Sequence, residues 1–388
     1  MESEKTQTQI RVLPESPVLD QTTWLELDQN ALRHNLAQIL SLTFPNAQIM
    51  AVVKANAYGH GLLEVAQCLR NKVSYFGVAS IEEALVLRNA GIGTPILLFG
   101  VPMGGAIEKA IRAEVSLAVS SVEQAREISD EAQRLKKPAV IHIKVDTGMG
   151  RLGIPKSSAV PAIAKIASLE MLQLEGLFTH FPQAEEIADP FTGGQIRIFN
   201  QILEESAEKE IQFPYCHAAN STGVVNHPEA HFNLVRPGLS LYGIYPHSSL
   251  KPKLPLKPVL SWRARVILVK KLARGESAGY GRTFTADSET VIGIVPVGYS
   301  HGYPFSLSNK GTVLFRGKSY PVVGRVSMDY IAVNFGPYFS AVRAGDVVTL
   351  LGRDGESEIS AETLAEKAGT IPYEIVTQLS PSIPRIIR

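Results

Sequence analysis

The stretch "AVVKANAYGHG" (residues 51–61) begins as an apolar strand but ends it on a charged residue, Lys54. Asn56, Tyr58 and His60 then follow at alternate positions. A buried strand normally ends in a turn residue, and a lysine is almost never fully buried unless it has a partner. The pattern therefore indicates that this end of the strand faces a polar site.

Eight short apolar segments alternate with helical patterns between residues 48 and 243. The predicted strands are residues 48–55, 75–80, 95–100, 116–121, 139–146, 174–180, 215–221 and 233–238. The segments between them have helical periodicity, and several begin with Ser or Thr, as capped helices do. Regular strand–helix alternation indicates a parallel sheet, and eight such strands are the number that closes a (β/α)8 TIM barrel.

The pattern changes after Pro258 to short strands joined by turn residues, which is typical of a β-rich domain. One short helix is predicted near its end, at residues 360–369. The strand-like segment 23–30 precedes the first helix of the barrel, and the sequence does not decide which domain contains it. The predicted division is a flexible N-terminal arm (1–20), a (β/α)8 barrel (21–257) and a C-terminal β domain (258–388).

Composition excludes several classes of function. The formal net charge of the 388 residues is +1, which argues against a general affinity for nucleic acid or anionic membranes. The first twenty residues are polar, and no apolar run of membrane-spanning length occurs, so we expect neither a signal peptide nor a membrane span. Two cysteines, Cys68 and Cys216, offer no disulfide framework and no zinc spacing. We therefore expect a cytoplasmic protein without a metal site.

Polar side chains collect at the ends of the predicted strands. Catalytic groups of TIM barrels lie at the C-terminal ends of the strands. Five strands end in such groups: Lys54 in the first, Lys144 and Asp146 in the fifth, His180 in the sixth, Asn220 and Ser221 in the seventh, and Arg236 in the eighth. We therefore expect a site in the mouth of the barrel.

The last two strand ends suggest that this site holds a phosphate. Barrels often bind phosphate on the loops after strands seven and eight. "NSTG" (220–223) offers the hydroxyls of Ser221 and Thr222, and "RPGL" (236–239) offers backbone N–H groups. A lysine and a phosphate site fit either a sugar phosphate bound as a Schiff base or pyridoxal phosphate. The residues alone do not choose between these two chemistries.

Seven motifs in order make the resemblance to one family specific. They are "AVVKANAYGHG" (51–61), "KVDTGMGRLG" (144–153), "LFTHF" (177–181), "HAANSTG" (217–223), "VRPGLSLYG" (235–243), "AGYGRTFTA" (278–286) and "GRVSMD" (324–329). Over roughly residues 20–388 the chain resembles the alanine racemase family. The resemblance implies a pyridoxal-phosphate enzyme built from a barrel and a C-terminal β domain. It also implies a homodimer with active sites shared between the two chains.

The resemblance also implies a role for each matching residue. Lys54 is expected to bond to the cofactor and, with Tyr280, to be one of two catalytic bases. The residues expected to hold the cofactor phosphate are Tyr58, Ser221, Gly238, Leu239 and Tyr373. His180 is expected beside the cofactor ring, and Arg236 at its pyridine nitrogen. Arg151 is expected near the cofactor hydroxyl and the substrate carboxylate, and the backbone N–H of Met328 should reach the same carboxylate from the partner chain. Lys144 matches a lysine that is carbamylated in many members and would hold Arg151 in place.

The chemistry explains why two bases are needed. Racemisation removes the α-proton from one face and returns a proton to the other, so we expect Lys54 and Tyr280 to serve opposite faces. A phenol needs help to act as a base near neutral pH, and a hydrogen-bonded chain from Tyr280 through His180 to Arg236 is the hypothesis for that help. An arginine only donates hydrogen bonds. Arg236 should therefore leave the pyridine nitrogen unprotonated and restrain side reactions such as transamination.

Two positions depart from the family pattern and keep other functions open. In "GYSHGYPF" (298–305), His301 and Phe305 stand where many members carry an acid and an arginine, beside an entryway tyrosine, Tyr299. The expected function is interconversion of L- and D-alanine for peptidoglycan synthesis. The alternatives are a racemase for serine or a broader set of amino acids, a barrel decarboxylase, a pyridoxal-phosphate carrier and a sugar-phosphate enzyme. The decarboxylase would carry a carboxylate in place of Arg236.

Overall fold

The structure is a computed structural model that describes residues 21–43, 47–337 and 342–388. The predicted N-terminal arm, residues 1–20, lies outside the described residues. The first ten strands are β1 (Thr23–Leu27), β2 (Gln48–Val52), β3 (Tyr75–Val78), β4 (Ile96–Leu98), β5 (Ser116–Val119), β6 (Ala139–Asp146), β7 (Ile154–Pro155), β8 (Leu172–Phe178), β9 (Tyr215–His217) and β10 (Leu234–Val235). The others are β11 (Leu260–Arg265), β12 (Leu268–Leu272), β13 (Ser277–Ala278), β14 (Phe284–Thr285), β15 (Thr290–Val295), β16 (Thr312–Phe315), β17 (Lys318–Val323), β18 (Ile331–Gly336), β19 (Val347–Asp354), β20 (Ser357–Ile359) and β21 (Arg385–Ile387).

The helices alternate with the first ten strands and return only near the C-terminus. They are α1 (Gln29–Leu42), α2 (Lys54–Tyr58), α3 (Leu62–Leu69), α4 (Ile81–Asn89), α5 (Gly105–Arg112), α6 (Val122–Leu135), α7 (Ala159–Ala167), α8 (Pro190–Ala207), α9 (Ser221–Asn226), α10 (Ala361–Ala368) and α11 (Pro372–Thr377). Ser80 and Ser121 cap α4 and α6 by accepting hydrogen bonds from Glu83 N–H and Gln124 N–H. These caps confirm that serine marks the start of barrel helices. None of the helices in the described part of the chain is long and apolar enough to cross a membrane.

The eight predicted barrel strands are confirmed as a parallel sheet in the order β10-β2-β3-β4-β5-β6-β8-β9. Two backbone hydrogen bonds bring the last two strands together: Arg236 N–H donates to Ala219 O at 2.9 Å, and Asn233 N–H donates to Cys216 O at 3.4 Å. A cluster of buried side chains fills the interior, including Met50 and Phe178. The result is a nearly closed barrel whose core is packed.

Seven of the eight barrel strands end two to four residues earlier than the sequence predicts, and two of these ends matter most for the site. The first ends at Val52, and Lys54 already belongs to the short helix α2. The seventh ends at His217, because the Asn220 side chain accepts from Gly223 N–H and so caps α9, in which Ser221 is the first residue. The predicted polar strand ends at Lys54, His180, Asn220, Ser221 and Arg236 therefore lie one to four residues after the strands, still at the carboxyl end of the barrel.

The C-terminal β domain contains a mostly antiparallel sheet in the order β12-β15-β18-β17-β16-β19-β11-β1-β21. Its strand β1 comes from the N-terminus and pairs antiparallel with β11 and parallel with β21. The predicted division placed residues 21–257 in the barrel, so the structure corrects the assignment of this first strand. The predicted short helix near the end is present as α10.

Candidate active site

A cavity of about 630 Å³ opens at the carboxyl end of the barrel. Ten of the twelve predicted site residues line it: Lys54, Tyr58, Lys144, Arg151, His180, Ser221, Arg236, Gly238, Leu239 and Tyr373. They come from the ends of several strands and, for Tyr373, from α11 of the C-terminal part of the chain. The structure therefore brings the predicted cofactor residues into one place. Tyr280 and Met328 do not line this cavity.

A left-handed turn places Lys54 and Tyr58 in the cavity. Four consecutive residues, 55–58, have φ between 52° and 54°. This conformation costs an L-residue roughly 1–2 kcal/mol, so surrounding contacts must hold it. Arg385 of β21 supplies one such contact by donating to Gly59 O from Nη2 at 2.8 Å and from Nε at 3.2 Å. No residue pattern predicted the turn, since alanine is a good former of ordinary right-handed helices.

The cavity changes the chemistry of Lys54. Burial lowers the pKa of its amine, and the positive charges of Arg151 and Arg236 lower it further, while Glu83 opposes the shift. A lowered pKa raises the fraction of neutral amine, which is the form that attacks a carbonyl or accepts a proton. Lys54 is therefore suited to a covalent bond with an aldehyde and to proton transfer.

A compact cradle lies between the ends of β9 and β10. Ser221 Oγ accepts from Gly238 N–H at 2.9 Å and from Ser240 Oγ at 3.0 Å. A Cβ added to Gly238 would approach the Tyr58 hydroxyl to 2.6 Å, so only glycine leaves room there. Tyr373 completes the rim, and burial raises the pKa of its hydroxyl to about 12, so it remains a neutral donor. Hydroxyl and backbone donors around a space kept open by glycine fit a phosphate group.

The loop after β6 carries the predicted carboxylate-binding arginine. Asp146 Oδ1 accepts from Gly148 N–H at 2.9 Å and from Gly150 N–H at 3.1 Å, which folds the loop so that Arg151 lines the cavity. Lys144 lies on β6 itself and is buried. Burial and the nearby charge of Arg151 lower the pKa of its amine to about 8.

Arg236 is a buried cation that touches His180. Its Nη2 donates to Thr179 O at 2.7 Å, to Ala218 O at 2.9 Å and to His180 Nδ1 at 3.2 Å. Burial and the charge of Arg236 lower the pKa of His180 well below its usual value, so the ring is neutral. Since arginine only donates, the His180 proton must lie on Nε2. The predicted contact between Arg236 and His180 is present.

A pyridine ring fits the cavity only if Arg236 has a hydrogen-bond donor that the protein itself does not use. Among residues 21–43, 47–337 and 342–388, no hydrogen bond occupies its Nε. Arg236 lines the cavity together with Lys54 and the Ser221–Gly238 cradle. An amine, a phosphate cradle and a ring-facing donor in one cavity match the three functional ends of pyridoxal phosphate.

Sequence reasoning missed three polar residues behind Arg236. Arg236 Nη1 donates to His217 Nδ1 at 2.8 Å, His217 Nε2 contacts His142 Nδ1 at 2.9 Å, and His142 Nε2 contacts Glu175 Oε2 at 3.0 Å. Both histidines are fully buried. The sequence left His217 without a role and did not single out His142 or Glu175. The only signal in the sequence for these residues was the presence of a polar side chain, such as His142 or Glu175, inside an otherwise apolar strand.

Tyr280 and Met328 lie on an exposed surface of the C-terminal β domain. Tyr280 is 71% exposed and Met328 is 55% exposed in the single chain. Tyr299, Phe305 and Tyr330 are also exposed, and backbone hydrogen bonds join Tyr299 and Ser300 to the loop that contains Met328. We call these five side chains the exposed aromatic surface. The structure of one chain does not bring Tyr280 to His180.

Family models match nearly the whole chain. The N-terminal domain of alanine racemase matches residues 27–246, and its C-terminal domain matches residues 259–387. The chain belongs to the alanine racemase family. This result confirms the predicted resemblance, and the barrel with its β-rich C-terminal domain is the fold of the family's solved structures.

Curated relatives and solved structures of the family match over nearly their full length. Alanine racemase of Methanococcus maripaludis is 42% identical over 366 residues, which cover 94% of this chain and 98% of that protein. The Clostridium difficile alanine racemase structure has a TM-score of 0.91 at 34% identity and covers 95% of this chain and 96% of that chain. The Bartonella henselae alanine racemase structure, with covalently bound pyridoxal phosphate, has a TM-score of 0.85 at 30% identity, with coverage of 95% and 100%. The family consists of pyridoxal-phosphate-dependent racemases.

Proposed function

We propose that this protein interconverts L-alanine and D-alanine with pyridoxal phosphate bound in the barrel cavity. The observation that carries the proposal is the meeting of Lys54, the Ser221–Gly238 cradle and Arg236 in one cavity of a chain that belongs to the alanine racemase family. When bound, pyridoxal phosphate withdraws electrons from the substrate and makes its α-proton acidic. The protein must then supply bases on two faces.

Lys54 serves one face and Tyr280 serves the other. The lowered pKa of Lys54 supports its use as a base. His180 would donate from Nε2 to the Tyr280 oxygen, which favours the phenolate form, and Arg236 holds the other side of the same imidazole. Arg151 and the backbone N–H of Met328 would bind the substrate carboxylate. These roles are the ones that the family resemblance implies, and they define the variants to test.

Tyr280 reaches the cavity from a second copy of the chain in this proposal. The exposure of Tyr280 and Met328, together with their apolar neighbours Tyr299, Phe305 and Tyr330, supports a homodimer in which the exposed aromatic surface covers the partner's cavity. Phe305 is part of this surface, and His301 lies in the same segment of the chain. Their departure from the family pattern would then act on substrate entry rather than on the bases.

The cellular role follows from the product. D-alanine is a building block of peptidoglycan, so we place the enzyme in the cytoplasm, where its substrate is made. The two cysteines Cys68 and Cys216 are unpaired, which suits a reducing compartment. A decarboxylase is disfavoured because Arg236, a cation, stands where that class uses a carboxylate.

A direct assay of the purified protein tests the proposal. L-alanine and L-serine are incubated separately with the protein loaded with pyridoxal phosphate, and the products are separated by chirality. We expect D-alanine from L-alanine, with much slower reaction of L-serine. Carbon dioxide release would indicate a decarboxylase, faster serine turnover would assign a different substrate, and absence of any product would favour a cofactor carrier.

A further inference from the structure

A polar chain crosses the barrel interior from the cavity toward the opposite end. Its members are Arg236, His217, His142 and Glu175, joined by contacts of 2.8, 2.9 and 3.0 Å. Glu175 is partly exposed at the far end, where it also accepts from Tyr75 and from Ser116 Oγ at 3.2 Å. Six polar side chains in an otherwise apolar interior require a reason, because each buried polar group must be satisfied.

The contacts fix the direction of every hydrogen bond in the chain. Arg236 can only donate, so His217 Nδ1 must accept. A neutral His217 then carries its proton on Nε2 and donates it to His142 Nδ1. His142 in turn carries its proton on Nε2 and donates it to the Glu175 carboxylate. The chain therefore runs in one direction, from a cation to an anion.

The titration behaviour of the chain agrees with neutral imidazoles between two charges. Burial lowers the pKa of His142, and burial and Arg236 lower the pKa of His217 well below its usual value. Burial alone would raise the pKa of Glu175, but hydrogen bonds from His142 and Tyr75 outweigh it and lower the pKa. The other titratable groups packed against the rings are Tyr75 and Tyr215, both of which contact His142.

Local backbone structure shows that this chain is built into the fold. The pairing of β6 with β8 skips Glu175, since Ile141 is opposite Leu174 and His142 is opposite Gly176. This irregularity adds one residue to β8 and lets Glu175 reach the interior. Gly176 follows it because a Cβ there would lie 2.1 Å from His142 Nδ1. The Glu175–Gly176 pair thus makes room for the imidazole that the carboxylate binds.

Arg236 needs a distant anion because it has none nearby. Within the described part of the chain, no carboxylate lies within ion-pair distance of its guanidinium. Lys54 and Lys144, whose charges interact with that of Arg236, are basic, and Glu185, which also lines the cavity, forms no ion pair with Arg236 among the residues that the structure describes. A buried cation without compensation is costly, and a hydrogen-bonded chain that ends in a carboxylate provides compensation at a distance.

We propose that Glu175 is a positioning residue for Arg236, which acts through His142 and His217 to hold the guanidinium charged and fixed in orientation at the cavity. The proposal rests on the proposed function for its effect on racemisation, since Arg236 is the group expected at the pyridine nitrogen. The hydrogen-bond directions themselves are a property of the protein chain.

Nitrogen NMR of the protein with isotope-labelled histidine tests the directions without any assay of activity. We expect His142 and His217 to be neutral, with the proton on Nε2 in both rings, from neutral to mildly alkaline pH. A proton on Nδ1 of either ring, or a doubly protonated ring, would overturn the proposal. The result does not depend on whether the protein racemises alanine, so failure here is distinguishable from failure of the proposed function.

A pair of variants then tests the action on Arg236. Glu175→Gln keeps the shape and removes the charge, whereas Ser116→Ala removes another hydrogen bond to the same carboxylate oxygen. We expect Glu175→Gln to shift the Nε2 proton resonances of both His142 and His217 and to lower racemisation kcat about tenfold with little change in KM. The kcat of Ser116→Ala should stay within about twofold of the wild-type value. A shift confined to His142, with unchanged kcat, would mean that Glu175 has only a local structural role.

Discussion

Burial in one cavity gives two lysines different properties from lysines on the surface. The amines of Lys54 and Lys144 both lie near Arg151 and Arg236, and both have a lowered pKa. Lys54 is the residue proposed to bond to the cofactor, and Lys144 lies on β6, the strand that precedes the loop with Arg151. In the proposed mechanism, the same positive surroundings would suit one lysine to catalysis and the other to carbamylation.

Carbamylation of Lys144 should depend on pH. A carbamate forms only from the neutral amine, and the pKa of Lys144 is lowered from 10.5 to about 8. We expect the carbamylated fraction to rise as pH rises through about 8 and with added bicarbonate. Carbon NMR with labelled bicarbonate measures the carbamate signal, and Lys144→Met is the control that must lack it. No signal in the wild-type protein at alkaline pH would contradict the prediction.

The charge of Arg236 should control the outcome of the reaction. In Arg236→Glu, an acid replaces a permanent donor and would protonate the pyridine nitrogen, which strengthens the electron sink. We expect slower racemisation and a higher ratio of pyruvate, the transamination product, to D-alanine. Arg236→Lys keeps the positive charge and should slow racemisation without raising that ratio. An unchanged product ratio in Arg236→Glu would refute this role.

At the scale of elements, a strand from the C-terminus stabilises the turn that carries the reactive lysine. Arg385 of β21 donates to Gly59 O and also to three carbonyl oxygens of its own segment, including Ile383 O at 2.8 Å. Val376 of α11 packs so closely that a Cβ on Gly59 would meet its oxygen at 1.8 Å. The left-handed turn is therefore held from outside the barrel.

Removal of this support should loosen the turn. We expect Arg385→Met to lower the free energy of unfolding by about 2 kcal/mol, because charged hydrogen bonds to partly buried carbonyls are lost. It should also weaken binding of pyridoxal phosphate, since Lys54 and Tyr58 lie on the turn. Denaturant unfolding and fluorescence titration measure the two effects. Arg388→Met, which removes an exposed contact to Glu26, is the matched control and should change neither by more than a small amount.

The elements that the sequence predicted well are those with strong local patterns. Alternating apolar strands and capped helices predicted all eight barrel strands, and turn-separated strands predicted the β-rich domain. The left-handed turn at Ala55 and the irregular pairing at Glu175 were not predictable, because each depends on contacts from distant segments. Strand β1 was also ambiguous, since its neighbours β11 and β21 are more than 200 residues away in the chain. Strand-end position predicted a site at Lys54, Lys144, His180, Ser221 and Arg236. The family resemblance alone implied Tyr58, Arg151 and Tyr373.

At the scale of the whole molecule, one chain contains a cavity with an open side and a separate surface with exposed aromatic side chains. Lys54 lies in the first, and Tyr280 lies on the second. Two catalytic bases must act on the same substrate, so the proposed mechanism needs two copies of the chain. The proposed dimer is thus a requirement of the chemistry and not an addition to it.

Mixing two inactive variants tests this arrangement. Lys54→Ala lacks one base and Tyr280→Phe lacks the other, so each homodimer should be inactive. Random exchange gives mixed dimers in which one of the two shared sites has both bases, so we expect about a quarter of wild-type activity. Each variant alone is the control. No recovery of activity after exchange would show that both bases act within one chain.

The most direct test of the central claim measures exchange of the α-hydrogen together with chirality. The purified protein, loaded with pyridoxal phosphate, is incubated with L-alanine in deuterated water. The two-base account predicts deuterated D-alanine, with loss of that product and persistence of slow exchange in Tyr280→Phe. Exchange in the wild-type protein that gives only deuterated L-alanine would contradict the account, because it would mean that Lys54 acts alone on a single face.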